Sequence, residues 1–384
     1  MHTRMVEQIL ATGMEHGPKT ERPRRDASRQ GRPRVATYNP AVPRSTLFVL
    51  GVALLATQTV LARRAPQAGA AWRDPSPHQA RSIAVDSSVR LEVLDWGGAG
   101  RPVVLLACYL TAHVYDDFAP KLASQFHVYG ITRRGLGKSD KPPSGYSVQR
   151  SSDDVLEVVE SLKLDKPILV GNSCAGQILT VVGQHGDRLG GLVYLDAADD
   201  PTLTLADYGV PLIDPARLPA SVKAAPKADY SSFEAYRIAQ RRDHGVAFPE
   251  AELRELFVAK PDGSMGGSLL SPAVRKAIVD DNSNVKPRYD GVRVPVLAIF
   301  RTAPPFEEFE RDSPPRNEDE RTALRQKYAF ERAMVSRWER DLLAGAPTAR
   351  IVELPGANLY MFLSNEADVL REVRAFVAAI SRSR

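Results

Sequence analysis

The chain has 384 residues, and its sequence predicts an α/β fold in which a mostly parallel sheet is flanked by helices. Three observations predict it. Short continuous runs of Val, Ile and Leu recur from about residue 90 onward, as strands buried on both faces require. Helical stretches alternate with them, the pattern of a doubly wound sheet. One run ends in a tight Gly-x-Ser-x-Ala turn just before a helical stretch.

The first part of the chain reads differently from the rest. Residues 1–45 hold nine Lys/Arg and four acids, rich in Pro, Gly and Ser and without an apolar period, so a disordered basic leader is expected. The formal net charge of +5 resides there, since the remainder carries 42 basic and 42 acidic residues. A nucleic-acid-binding domain concentrates basic charge on its folded part, so no nucleic-acid partner is expected. An uncharged run of 17 residues, Thr46 to Ala62, follows between Arg44 and Arg63-Arg64. Residues 46–70 are expected to be a signal peptide or an uncleaved signal anchor. That places the protein in an exported or periplasmic setting, or on a membrane through this anchor.

Residues 82–384 are expected to form the packed domain. Candidate strands are Leu91–Trp96, Pro102–Ala107, His127–Thr132, Pro167–Asn172, Gly191–Asp196, Pro295–Phe300 and Arg350–Leu354. Asp153–Leu162 reads as a helix with Ser151 or Ser152 as its cap, and Cys174–Gln184 as another. Between about residues 200 and 290 the alternation stops. Prolines and short helical pieces, Ser232–Arg242 and Glu250–Phe257, predict a helical cap inserted over the strand ends. Asn317–Leu343 reads as one long charged helix.

The chemistry centres on Ile168-Leu-Val-Gly-Asn-Ser-Cys-Ala-Gly176. A strand runs into a turn so tight that Gly171 and Ala175 must be small, and a helix follows; this is the nucleophile-elbow pattern. It lifts the Ser173 hydroxyl and puts the Cys174 N–H at a helix N-terminus, where an oxyanion would be stabilised.

With these residues in place the chain resembles the α/β-hydrolase fold family. Pro102-Val-Val-Leu-Leu-Ala-Cys-Tyr109 is similar to its strand and oxyanion loop, and Arg134-Gly-Leu-Gly-Lys-Ser-Asp140 to its Arg-Gly-x-Gly-x-Ser turn. Gly191-Leu-Val-Tyr-Leu-Asp-Ala-Ala198 is similar to the strand after the elbow helix. Glu353-Leu-Pro-Gly-Ala-Asn-Leu-Tyr360, Phe362 and the helix Val369–Ile380 resemble the last strand, the catalytic-histidine loop and the closing helix. The resemblance implies that Ser173 is the nucleophile and that the Tyr109 and Cys174 N–H groups form the oxyanion hole. Asp196 is the candidate acid, with Glu307 and Glu308 as alternatives.

Three departures stand out. The usual His-Gly of the oxyanion loop is Ala107-Cys108, and the residue before the nucleophile, often His, is Asn172. The family's Gly-Ala-x-His-aromatic loop reads Gly356-Ala357-Asn358-Leu359-Tyr360, so leucine replaces the general base. A serine hydroxyl needs an adjacent base, which histidine supplies near neutral pH and leucine does not. His113 follows the oxyanion segment and is expected to cap or pack; His244 lies in the insertion and would have to approach from above. The two cysteines make no disulfide framework. Both border the expected hole, either as small buried residues or as a redox-sensitive pair able to close it.

Two functions follow. One is hydrolysis of an ester or similar acyl compound by Ser173, impaired because Leu359 stands in for the base. The other is a non-catalytic protein that holds an acyl or apolar small molecule. Neither needs a cofactor or a metal, and none is predicted.

Overall fold

The computed structural model describes residues 72–211, 213–223 and 228–382. The basic leader and the apolar run at 46–62 lie outside the described residues. Among those described, no helix is long and apolar enough to cross a membrane. The expected export or membrane anchoring is therefore corrected.

Eight strands form one sheet: β1 (Gln79–Ala84), β2 (Arg90–Gly97), β3 (Pro102–Leu106), β4 (His127–Ile131), β5 (Ile168–Asn172), β6 (Gly191–Leu195), β9 (Val296–Thr302) and β10 (Arg350–Pro355). Their spatial order is β1-β2-β4-β3-β5-β6-β9-β10. β2 pairs antiparallel with β1 and β4; every other pairing is parallel. All seven predicted strands are present, with ends shifted by no more than two residues. The eighth, β1, is almost wholly exposed and so carries no apolar signal.

Strand periodicity sorts the core into two layers. On β3, Val103 and Leu105 belong to one buried cluster, and Val104 and Leu106 to the other. The first layer includes Val373 and Val377 of the C-terminal helix Glu366–Arg382. The second includes side chains of the helices Val148–Ser161, Ala175–Val182 and Glu318–Gly345. A sheet covered on both faces explains why its inner strands are continuous apolar runs.

One helix start differs from expectation. The helix begins at Val148 and is capped by Ser147, whose Oγ accepts from the Arg150 N–H at 3.1 Å. Ser152 lies inside the helix and donates its hydroxyl back to the Val148 carbonyl at 2.8 Å, a use of serine that does not mark a helix start. The Arg134–Asp140 turn is held from several sides. Arg134 Nε and Nη2 fork onto both oxygens of buried Asp154 at 2.6 and 2.7 Å, and Ser139 Oγ donates to the Thr132 carbonyl at 2.7 Å.

Between β6 and β9 the chain runs through the helices Phe233–His244, Glu250–Leu256 and Pro272–Asn284. The insertion is not purely helical. It also contains an antiparallel hairpin of β7 (Phe257–Ala259) and β8 (Met265–Ser268), too short and glycine-rich to be read as strands from sequence.

Candidate active site

In the strand order, the chain steps from β3 outward to β4 and then back to β5 on the other side. Open α/β sheets bind ligands where the order reverses, at the carboxyl ends of the strands. Here that crevice lies between β3 and β5, whose last pairing is Leu106 with Gly171. The segments that leave these two strands carry Cys108-Tyr109 and Ser173-Cys174.

Ser173 sits in the turn between β5 and the helix Ala175–Val182, with φ at 55°. This left-handed conformation is uncommon for a residue with a side chain. Gly176 shows how tight the turn is: a Cβ there would lie 1.6 Å from the Ala197 carbonyl oxygen. The Cys174 N–H stands at the start of the elbow helix, whose dipole favours negative charge. Tyr109, on the facing segment, is buried.

Cys108 and Cys174 are joined by a disulfide, with Cα atoms 5.1 Å apart. The bond spans the crevice and ties together the two segments expected to supply the oxyanion donors. Of the two readings open from sequence, the paired one describes the structure. Two cysteines 66 residues apart offer no spacing signal for this.

Asn172, just before Ser173, donates its side-chain amide to the carbonyls of Leu195 and Leu359, each at 2.9 Å. The loop after β10 is thereby fastened to the elbow. Leu359 itself is only 2% exposed. Asn358 donates to the His244 carbonyl at 2.9 Å, so the end of the helix Phe233–His244 rests against the same loop. Burial pulls the His244 imidazole below its usual range.

Asp196 follows β6 with φ at 48° and a fully buried side chain. Its oxygens accept from Arg301, one from Nε at 2.6 Å and the other from the N–H at 3.3 Å. Glu307 and Glu308 lie exposed in the first turn of the helix Phe306–Asp312.

One feature of the loop after β3 carried no sequence signal. Glu252, on the insertion helix Glu250–Leu256, accepts from the Thr111 N–H at 3.0 Å and lies 2.5 Å from the Thr111 hydroxyl. Complete burial pushes its carboxyl up to about 8. His113 is buried against Asp116, Nδ1 to Oδ2 at 2.8 Å, as a packed residue rather than a displaced base. Burial alone would lower its pKa, but Asp116 and Glu92 outweigh that and push it up to about 10. Asn282, from the helix Pro272–Asn284, reaches the Cys174 carbonyl at 3.5 Å.

Strand order and elbow together decide the class. The chain has the α/β-hydrolase fold. The family model described as alpha/beta hydrolase fold matches residues 101–267. Among curated proteins, the chain is 33% identical over 175 residues to "Putative carbamate hydrolase RutD" of Caulobacter segnis, covering 42% of this chain and 66% of that one. It is 34% identical over 122 residues to the AB hydrolase superfamily protein YisY of Bacillus subtilis, covering 30% and 44%. The chain thus matches less than two thirds of the length of these relatives. Among solved structures, E-2-(acetamidomethylene)succinate hydrolase superposes with a TM-score of 0.52 at 18% identity, covering 78% of this α/β-hydrolase-fold chain and 99% of that one. At that identity the likeness concerns the fold.

Proposed function

We propose that this α/β-hydrolase-fold protein descends from enzymes that cleave esters or similar acyl compounds, and that its own turnover through Ser173 is impaired. The observation that carries this reading is Leu359. Its carbonyl is bonded to Asn172, the neighbour of Ser173, so its loop belongs to the site, yet its side chain accepts no proton. The engagement of Asp196 by Arg301 supports the same reading, because that carboxylate already has a cationic partner. Ser173 would be the nucleophile, the Tyr109 and Cys174 N–H groups the oxyanion donors and Asp196 the acid of the complete form.

The magnitudes are large enough to test. In a serine protease, loss of the triad histidine costs roughly 10⁶-fold in turnover, and binding with the oxyanion hole alone retains roughly 10³–10⁴ over water. A panel of acyl esters should be hydrolysed by the parent within about tenfold of the Ser173→Ala variant. Leu359→His should raise kcat/KM by at least about 100-fold, near 3 kcal/mol of barrier. The gain should vanish on adding Ser173→Ala and weaken on adding Asp196→Asn. Efficient, Ser173-dependent hydrolysis by the parent would show that a base acts from elsewhere and would sink the reading. A folded Leu359→His variant with no gain would favour the second function, the holding of an acyl or apolar small molecule beside the buried Leu359 side chain.

A further inference from the structure

Away from Ser173, four side chains converge in a way the hydrolase reading does not use. We propose that Asp74, His78, His113 and Asp116 form a structural binding site for one divalent transition-metal ion of the zinc class. Each offers one donor atom, and the four atoms all lie within 4.8 Å of one another. The shortest separations between neighbouring groups are His113 to Asp116 at 2.8 Å, His78 to Asp116 at 3.0 Å, His113 to Asp74 at 3.3 Å and His78 to Asp74 at 3.6 Å. Four ligands about 2.05 Å from a tetrahedral zinc ion are separated by about 3.3 Å. These separations, which use both ring nitrogens of His78 and both oxygens of Asp116, bracket that value, and four donor atoms taken one per residue lie within 4.8 Å of one another.

The chemistry of the donors agrees. Two imidazoles and two carboxylates suit zinc, whereas magnesium and calcium take oxygen alone. With four protein ligands the site is closed, the arrangement of structural rather than catalytic zinc.

The groups behind the ligands are those that orient metal-bound side chains. His113 Nε2 and Glu92 Oε1 face each other at 3.8 Å. Both atoms are buried and neither has a hydrogen-bond partner. A carboxylate behind a ligating histidine fixes its tautomer and raises its basicity. The Ser76 hydroxyl donates to Asp116 Oδ1 at 2.8 Å, and the Trp96 indole N–H reaches the same oxygen at 3.2 Å. Three carboxylates, Asp74, Asp116 and Glu92, gather around the two imidazoles with Lys138 Nζ 3.9 Å from Glu92, and a divalent ion would add positive charge among them. The ion would tie residues 74–78, just before β1, to the loop that carries Thr111.

The test uses the full chain, stripped with a chelator and then titrated with Zn²⁺ or Co²⁺. One equivalent of zinc per chain by elemental analysis is expected, with the intense visible bands of tetrahedral Co²⁺. Glu92→Gln, which removes no ligand, should weaken binding by roughly 10–100-fold. His78→Gln should weaken it further. Asp74→Asn serves the same purpose should His78→Gln fail to fold, because Asp74 is the more exposed of the two side chains. No stoichiometric metal and no Co²⁺ bands would overturn the proposal and leave an imidazolium–carboxylate cluster. Equal affinity in parent and ligand variants would overturn it as well.

Discussion

At Asn172 one side-chain amide serves two main-chain carbonyls, one from the end of β6 and one from the loop after β10. Both bonds are buried. The Leu195 carbonyl also accepts from the Ser173 N–H at 3.3 Å, so alanine would take the side-chain partner from the Leu359 carbonyl alone. At roughly 1–3 kcal/mol for a buried unsatisfied group, Asn172→Ala should cost about 1–3 kcal/mol in urea unfolding. A loss below about 0.5 kcal/mol would show that the Leu359 carbonyl finds another partner. The sequence made Asn172 visible only as a departure from histidine at a position of no mechanistic weight. Its bridging role joins residues 23 and 187 positions apart, and no local pattern encodes such a pairing. The same holds for Asp196. Its place after a strand was legible, but its commitment to Arg301, 105 residues away, was not.

The elbow was the most legible element, because its chemistry is local. A buried strand, small neighbours and a following helix are each required by the turn, and each is written in consecutive residues. Gly176 marks the limit of that tolerance. A methyl at this position meets the Ala197 carbonyl at 1.6 Å, a backbone atom with no rotamer to yield. Gly176→Ala should cost more than about 4 kcal/mol, the range that names a specific steric cause, or prevent folding; a thermal melt within a few degrees of the parent would contradict this. The strands were legible for a related reason, since burial on both faces writes itself as unbroken apolar residues. β1 and the β7–β8 hairpin were not. The first is exposed along nearly its whole length, and the second has glycines at 266 and 267.

The whole molecule depends on how the insertion meets the sheet, and Glu252 makes that joint sensitive to pH. Its carboxyl is buried and pushed up to about 8 from an ordinary value near 4.5. Between those values the native state keeps a proton that the unfolded chain releases, so stability falls as pH rises through this window and levels off above it. Glu252→Gln keeps an acceptor for Thr111 and removes the titration. The melting temperature of this variant relative to the parent should therefore climb from pH 5 to pH 8.5. A constant difference across that range would exclude Glu252 as the cause.

The Cys108–Cys174 bond encloses β4, β5 and the helix Val148–Ser161 in a covalent ring that outlasts unfolding. Closing a loop of that length removes about 4 kcal/mol of denatured-chain freedom in the entropic account. The ring also changes what a protease accomplishes. A single cut anywhere within it leaves no separate fragments: the two halves travel as one molecule until a thiol opens the bond, and the two lips of the crevice stay stapled while the backbone between them is severed.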